Sequence, residues 1–123
     1  MIPASVRIFV CREPQDLRRS FDGLALAAKE RLGENPQSGA LFCYVNKRFN
    51  RLKILWWDRN GYCLLYKRLH RAVFRIPPGE TLSAASLRLS GAELAELIAG
   101  VERERKRADL FVSRLLTRGR FAA

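Results

Sequence analysis

The single histidine of this 123-residue chain, His70, lies in the run Lys67-Arg68-Leu69-His70-Arg71. A Ser-His-Asp or Cys-His nucleophile therefore has one place to find its base, and that place is crowded with cations. A histidine so placed suits contact with a phosphate better than abstraction of a proton. Two-metal phosphoryl chemistry needs clustered carboxylates. Of the nuclease candidates Asp16, Asp22 and Asp58, the last has no acidic neighbour between Glu34 and Glu80. Aspartates beside turns and helix starts more often cap backbone N–H groups or pair with a nearby arginine, and Asp16, Arg18, Asp22 and Asp58 fit that use. The three cysteines, Cys11, Cys43 and Cys63, show no Cys-x-x-Cys spacing and sit among apolar residues, which suits reduced core side chains better than zinc or redox chemistry. Neither a Walker loop nor a Gly-x-Gly-x-x-Gly motif is present. The expectation is a protein that is not an enzyme and carries no metal or cofactor.

What the chain has in abundance is positive charge. Its 23 Lys+Arg face 12 Asp+Glu, a formal charge of +11, and 18 of the cations are arginine, whose planar fork matches phosphate. From Ala40 to Gly79 nine cations (Lys47, Arg48, Arg51, Lys53, Arg59, Lys67, Arg68, Arg71, Arg75) meet one anion, Asp58. Tyr44, Phe49, Trp56, Trp57, Tyr62, Tyr66 and Phe74 interleave with them, a composition that can stack bases. Strands use aromatics chiefly for packing, so Trp56 and Trp57 are expected in the core with at most one outward. Phe49 falls in the loop Asn46-Lys47-Arg48-Phe49-Asn50-Arg51, where packing demands are weaker, and is a candidate for partner contact.

The elements that must position these residues are readable from periodicity. Val6 to Val10 reads as a strand and Asp16 to Leu32 as a helix stopped by Gly33, with Asp16 as a plausible N-cap. Leu41 to Val45, Leu52 to Trp57 and Tyr62 to Leu69 read as an antiparallel meander, with Asn60-Gly61 as a hairpin turn of positive φ. In the middle strand Leu52, Ile54 and Trp56 face one way and Lys53, Leu55 and Trp57 the other, so both faces should be covered. Val73 to Ile76 is a short extended piece before Pro77-Pro78-Gly79. Ser90-Gly91-Ala92-Glu93 is a capping box opening a helix with Leu94, Leu97, Ile98 and Val101 on one side. Its register continues through Ala108, Phe111, Val112 and Leu115, which leaves open one long helix, a break near Gly100 with a second short helix, or a loose tail.

Taken as a set, these residues resemble a known family. Asp16-Leu17-Arg18-Arg19-Ser20-Phe21-Asp22-Gly23-Leu24 is similar to its Asp-Met-Arg-Lys-Gly-Phe-Asp-Gly-Leu signature. Leu52 to Asp58, Gly61 to Leu64 and Lys67-Arg68-Leu69 are similar to its second. With Phe74-Arg75-Ile76-Pro77 and Leu89-Ser90, the resemblance covers about residues 3 to 101. The family is the TnpB (Orf2-like) accessory protein of insertion sequence 66 elements. It implies a bacterial protein that assists a separate, larger transposase without carrying the catalytic acidic triad. His70, where an acidic residue is common, Ile76, where Trp is common, and residues 102–123 depart from the family pattern.

The sequence thus predicts an α+β domain at residues 1–101, an antiparallel sheet of about four or five strands with two packed helices and one basic face. Residues 102–123 would be a basic amphipathic C-terminal helix or tail. The first functional expectation is a non-catalytic transposition factor that grips DNA phosphates through Lys47, Arg48, Phe49, Arg51, Lys53, Lys67, Arg68 and Arg71. The second is a protein adaptor that docks on the transposase, or on itself as a homo-oligomer, through Phe111, Val112 and Leu115. With no run as long as a membrane span, the expected location is the bacterial cytoplasm, near the nucleoid.

Overall fold

Alternation within the strands dictates a sheet buried on both sides, and that is the architecture of the computed structural model, which describes residues 5–102. Its elements are β1 (Ile8–Cys11), α1 (Phe21–Leu32), β2 (Leu41–Val45), β3 (Arg51–Asp58), β4 (Gly61–Arg68), β5 (Ala72–Val73), β6 (Glu80–Thr81), β7 (Ser86–Leu89), α2 (Gly91–Ala99) and β8 (Val101–Glu102). Six strands form one sheet in the order β4-β3-β2-β1-β7-β6, while β5 and β8 make a separate two-stranded ribbon. Phe9, Cys11, Phe42, Tyr44 and Leu55 turn to one face and pack with Leu24, Ala28 and Leu32 of α1. Ile8, Val10, Cys43, Val45, Leu52 and Ile54 turn to the other and pack with Leu94 and Leu97 of α2. Each large side chain so buried is worth about 1.5–3 kcal/mol of transfer free energy.

The expected α+β class holds, with corrections. The sheet is mixed: β1 and β2 are parallel, Ile8 opposite Leu41 and Val10 opposite Cys43, because α1 is the crossover between them and returns the chain to the starting end. The strand count rises to six because β7 pairs antiparallel with β1 and β6 pairs with β7. At two and four residues, β6 and β7 are too short for a periodicity test to register. Helix α1 starts at Phe21, with Ser20 as an N-cap that makes no side-chain bond. Asp16 instead closes a turn of its own, its Oδ1 accepting the Arg18 backbone N–H at 3.0 Å. The β3–β4 hairpin turns on Arg59 and Asn60, with Asp58 opposite Gly61. The left-handed residue is therefore Arg59 (φ 57°), one place before the Asn-Gly pair.

The capping box is present in full. Glu93 N–H donates to Ser90 Oγ at 3.2 Å and Ser90 N–H to Glu93 Oε1 at 3.0 Å. Helix α2 does not run on past Gly100: at φ 73° this residue ends it, and Val101–Glu102 pair with β5. The long continuous helix is excluded at that point, while Phe111, Val112 and Leu115 lie outside the described residues.

Candidate nucleic-acid interface

Because β1 and β2 are parallel, the loops that leave their carboxyl ends, residues 12–20 and 46–50, emerge at the same end of the sheet. Ligand crevices of open sheets form at such ends. Gln15 N–H donates to Val45 O at 2.8 Å, which draws the two loops together. Between them lies a cavity of about 530 Å³ lined by Gln15, Asp16, Leu17, Arg18, Asn46, Lys47, Arg48 and Arg51. Four cationic side chains and one carboxylate thus surround a single opening.

Both walls are braced from within. In the first, Leu17 is buried and anchors the loop, and Asp16 receives a fork from Arg18, Nε at 3.0 Å and Nη2 at 2.7 Å. Those side-chain bonds first, and the Arg18 backbone N–H second, hold the Asp16 carboxyl down at about 2. In the second wall Asn46 organises the turn: its Oδ1 accepts the N–H groups of Asn50 at 3.0 Å and Arg51 at 2.9 Å, and its Nδ2 donates to Asn50 Oδ1 at 2.7 Å. Lys47 and Arg48 are left exposed at the tip. Phe49 takes up a left-handed φ of 56°, turns its side chain into the core on the α2 face, and its carbonyl accepts Phe74 N–H at 2.7 Å. It is an anchor of the loop. A left-handed bulky residue stores backbone strain that the surrounding contacts must over-determine.

The other sequence-derived candidates divide into two groups. Arg51 is exposed and donates to Tyr66 Oη at 2.7 Å, and Arg68 stands directly across from it in the register of β3 and β4. Two arginines directly opposite one another repel. The ion pairs among the described residues are Arg7–Glu34, Arg18–Asp16 and Arg31–Glu13, so Lys47, Arg48, Arg51 and Arg68 have no carboxylate partner among them. Arg71 and His70 are exposed just beyond β4. Lys53 and Lys67, in contrast, are used inside the fold. Lys53 is only 7% exposed; its ammonium donates to Arg19 O at 2.8 Å and lies 5.0 Å from the Tyr66 ring centroid. Lys67 donates to Ile98 O at 2.7 Å and so satisfies a carbonyl in the last turn of α2. With helices packed on both faces, the exposed candidates Lys47, Arg48, Arg51, Arg68 and Arg71 lie along the rim of the sheet at the carboxyl end of β2.

Arg12 and Arg75 extend that rim. They share a second cavity, about 420 Å³, with Phe49, Phe74, Pro77 and Pro78 on the α2 side. Arg12 and Gln15 escaped the sequence reading because only the parallel pairing of β1 and β2 brings residues 12–18 beside residues 46–51. The signal available was the strand-helix-strand order itself. Among the described residues no three His, Cys, Asp or Glu side chains form a metal-binding group, and no helix is long and apolar enough to cross a membrane.

The chain is 35% identical over 104 residues to the uncharacterized protein y4hO of Sinorhizobium fredii, covering 83% of this chain and 88% of that one. It is 33% identical over 97 residues to the uncharacterized protein y4jC of the same organism, covering 79% and 80%. No solved structure matches it. Residues 6–108, which include both signatures and the whole basic rim, match the family described as IS66 Orf2 like protein, and the chain belongs to that family.

Proposed function

We propose that the protein is a non-catalytic accessory factor of insertion-sequence transposition that holds DNA by its phosphates in the cleft between the β1–α1 and β2–β3 loops, beside a separate transposase. The family supplies the biological setting, a transposition-associated accessory protein. The observation that carries the molecular reading is the cavity lined by Arg18, Lys47, Arg48 and Arg51 on two braced loops. Beside the Arg18–Asp16 pair, Lys47, Arg48 and Arg51 have no carboxylate partner among the described residues, and Arg51 directly opposes Arg68, which favours an anionic occupant. A row of phosphates is such an occupant, and release of its counterions drives the binding. Phosphate contact positions a protein without reading sequence. Choice of the element ends then falls to groove contacts or to the transposase.

The test is anisotropy of labelled duplexes, element-end and scrambled, across a salt series. Changing Lys47, Arg48 and Arg51 together to alanine should weaken binding to both and reduce the slope of log K against log salt by about 0.9 for each phosphate no longer neutralised. Arg59→Ala, which removes one positive charge from the far end of the β3–β4 hairpin, should change affinity less than Lys47→Ala, Arg48→Ala or Arg51→Ala alone. Equal affinity of the triple variant and the natural protein would overturn the assignment.

A further inference from the structure

The six-stranded sheet has two unlike edges. Strand β6 is two residues long and follows Pro77-Pro78, which is how proteins blunt an edge against unwanted pairing. Strand β4 is eight residues long, and Gly61-Tyr62-Cys63-Leu64-Leu65-Tyr66 carries no charge or proline. Leu65 is 37% exposed and Tyr66 49%. The two-residue loop closes on Asp58 and Gly61, so the odd-numbered residues of β4 exchange hydrogen bonds with β3, a pattern continued by Leu69 N–H donating to Asn50 O at 2.8 Å. The backbone N–H and C=O groups of Tyr62, Leu64 and Tyr66 therefore point away from β3. Among the described residues nothing pairs with them.

We propose that this edge is a dimer interface, in which a second copy of the chain adds its own β4 antiparallel to the first and joins the two sheets. The strand is complementary to itself. A two-fold axis normal to the sheet keeps like faces together, so each residue must pair with one of the same parity. Centred on Leu64, that pairing sets Tyr62 opposite Tyr66 on the α1 face and Cys63 opposite Leu65 on the α2 face. It sets Lys67 opposite Gly61 and Arg68 opposite Asn60, so no cation faces a cation. On the α2 face Cys63 neighbours Trp56 across β3. Trp56 and Leu65 line a largely apolar groove of about 550 Å³ with Leu41, Ile54, Leu94 and Ile98. The second copy's Leu65 arrives beside that groove, where removing apolar surface from water drives association.

The measurement is sedimentation equilibrium of the full chain from micromolar to hundreds of micromolar. The natural protein should show a monomer–dimer equilibrium. Leu65→Lys, at a position already open enough to take a charge in the monomer, should raise the dissociation constant at least about 100-fold by burying an unpaired ammonium in the interface. A second variant reads the register directly. Leu65→Cys should form a disulfide-linked dimer with Cys63 of the other copy on oxidation by glutathione disulfide, and Cys63→Ser should abolish it, because Cys11 and Cys43 are buried. A natural protein that stays monomeric throughout would overturn the proposal and leave the edge to residues 103–123 or to a different protein. So would a dimer that survives Leu65→Lys, or a crosslink independent of Cys63.

Discussion

At the scale of single residues, three side chains that looked free for a partner, Lys53, Lys67 and Phe49, are used for construction. Lys53 reads as one cation in a basic run, yet its ammonium spans from β3 to the Arg19 carbonyl and fixes the loop that carries Arg18. Lys53→Met keeps the stem and removes that charged hydrogen bond, so it should destabilise the fold by about 1.5–3 kcal/mol, seen as a lower urea midpoint. It should also speed hydrogen exchange at residues 16–19. Asp16 is the clearest titration probe. Its carboxyl, held at about 2 by Arg18, should return toward 3.8 in Arg18→Ala when followed by carboxyl NMR. Because the folded-state value lies below the ordinary one, the pair's contribution to stability is complete above pH 3.8 and disappears as pH falls through about 2. Elsewhere burial dominates: it pushes the Cys43 thiol up to about 12 and raises that of Cys11, in keeping with their role as core side chains.

At the scale of elements, structure is legible in the sequence where a local rule decides the outcome. Ser90 and Glu93 form their capping box because both partners lie within one helical turn, and Glu93 also accepts Gly79 N–H through its second oxygen at 3.0 Å. Ser90→Ala should cost about 1 kcal/mol, whereas Glu93→Ala should cost more by also freeing the Pro77-Pro78-Gly79 connection. Thermal denaturation of the two variants separates these contributions. Gly79 itself adopts φ 55°, and an added Cβ would lie 2.7 Å from the Arg88 carbonyl oxygen. Gly79→Ala should therefore be the more damaging change in this connection. The extent of β3 and β4 was legible for the same local reason, through runs rich in leucine and aromatic residues on either side of a short polar turn. The start of α1 was not, because Asp16 carries the signal of a helix cap and spends it on an Asx turn five residues earlier than the helix.

At the scale of the whole molecule, helices on both sheet faces leave Lys47, Arg48, Arg51, Arg68 and Arg71 exposed along one rim of the sheet. That rim faces outward at the carboxyl ends of β1 and β2, and the uncharged stretch of β4 from Gly61 to Tyr66 lies along the side of the same sheet. The two surfaces make separable predictions. Changes at Lys47, Arg48 and Arg51 should act on DNA affinity and leave the dimer intact, while Leu65→Lys should act on mass in solution.

The sequence by itself determined the class of fold, the meander, the capped second helix, the family and the accumulation of charge, since each depends on neighbours within a few residues or on composition. Only the tertiary structure decided that β1 lies parallel to β2, that β7 closes on β1, and that Arg18 meets Lys47, Arg48 and Arg51 around one cavity. It also decided that Lys53, Lys67 and Phe49 serve the fold. Those outcomes depend on which distant strands pair and which face each helix covers, choices made by burial of the entire chain that no local pattern encodes.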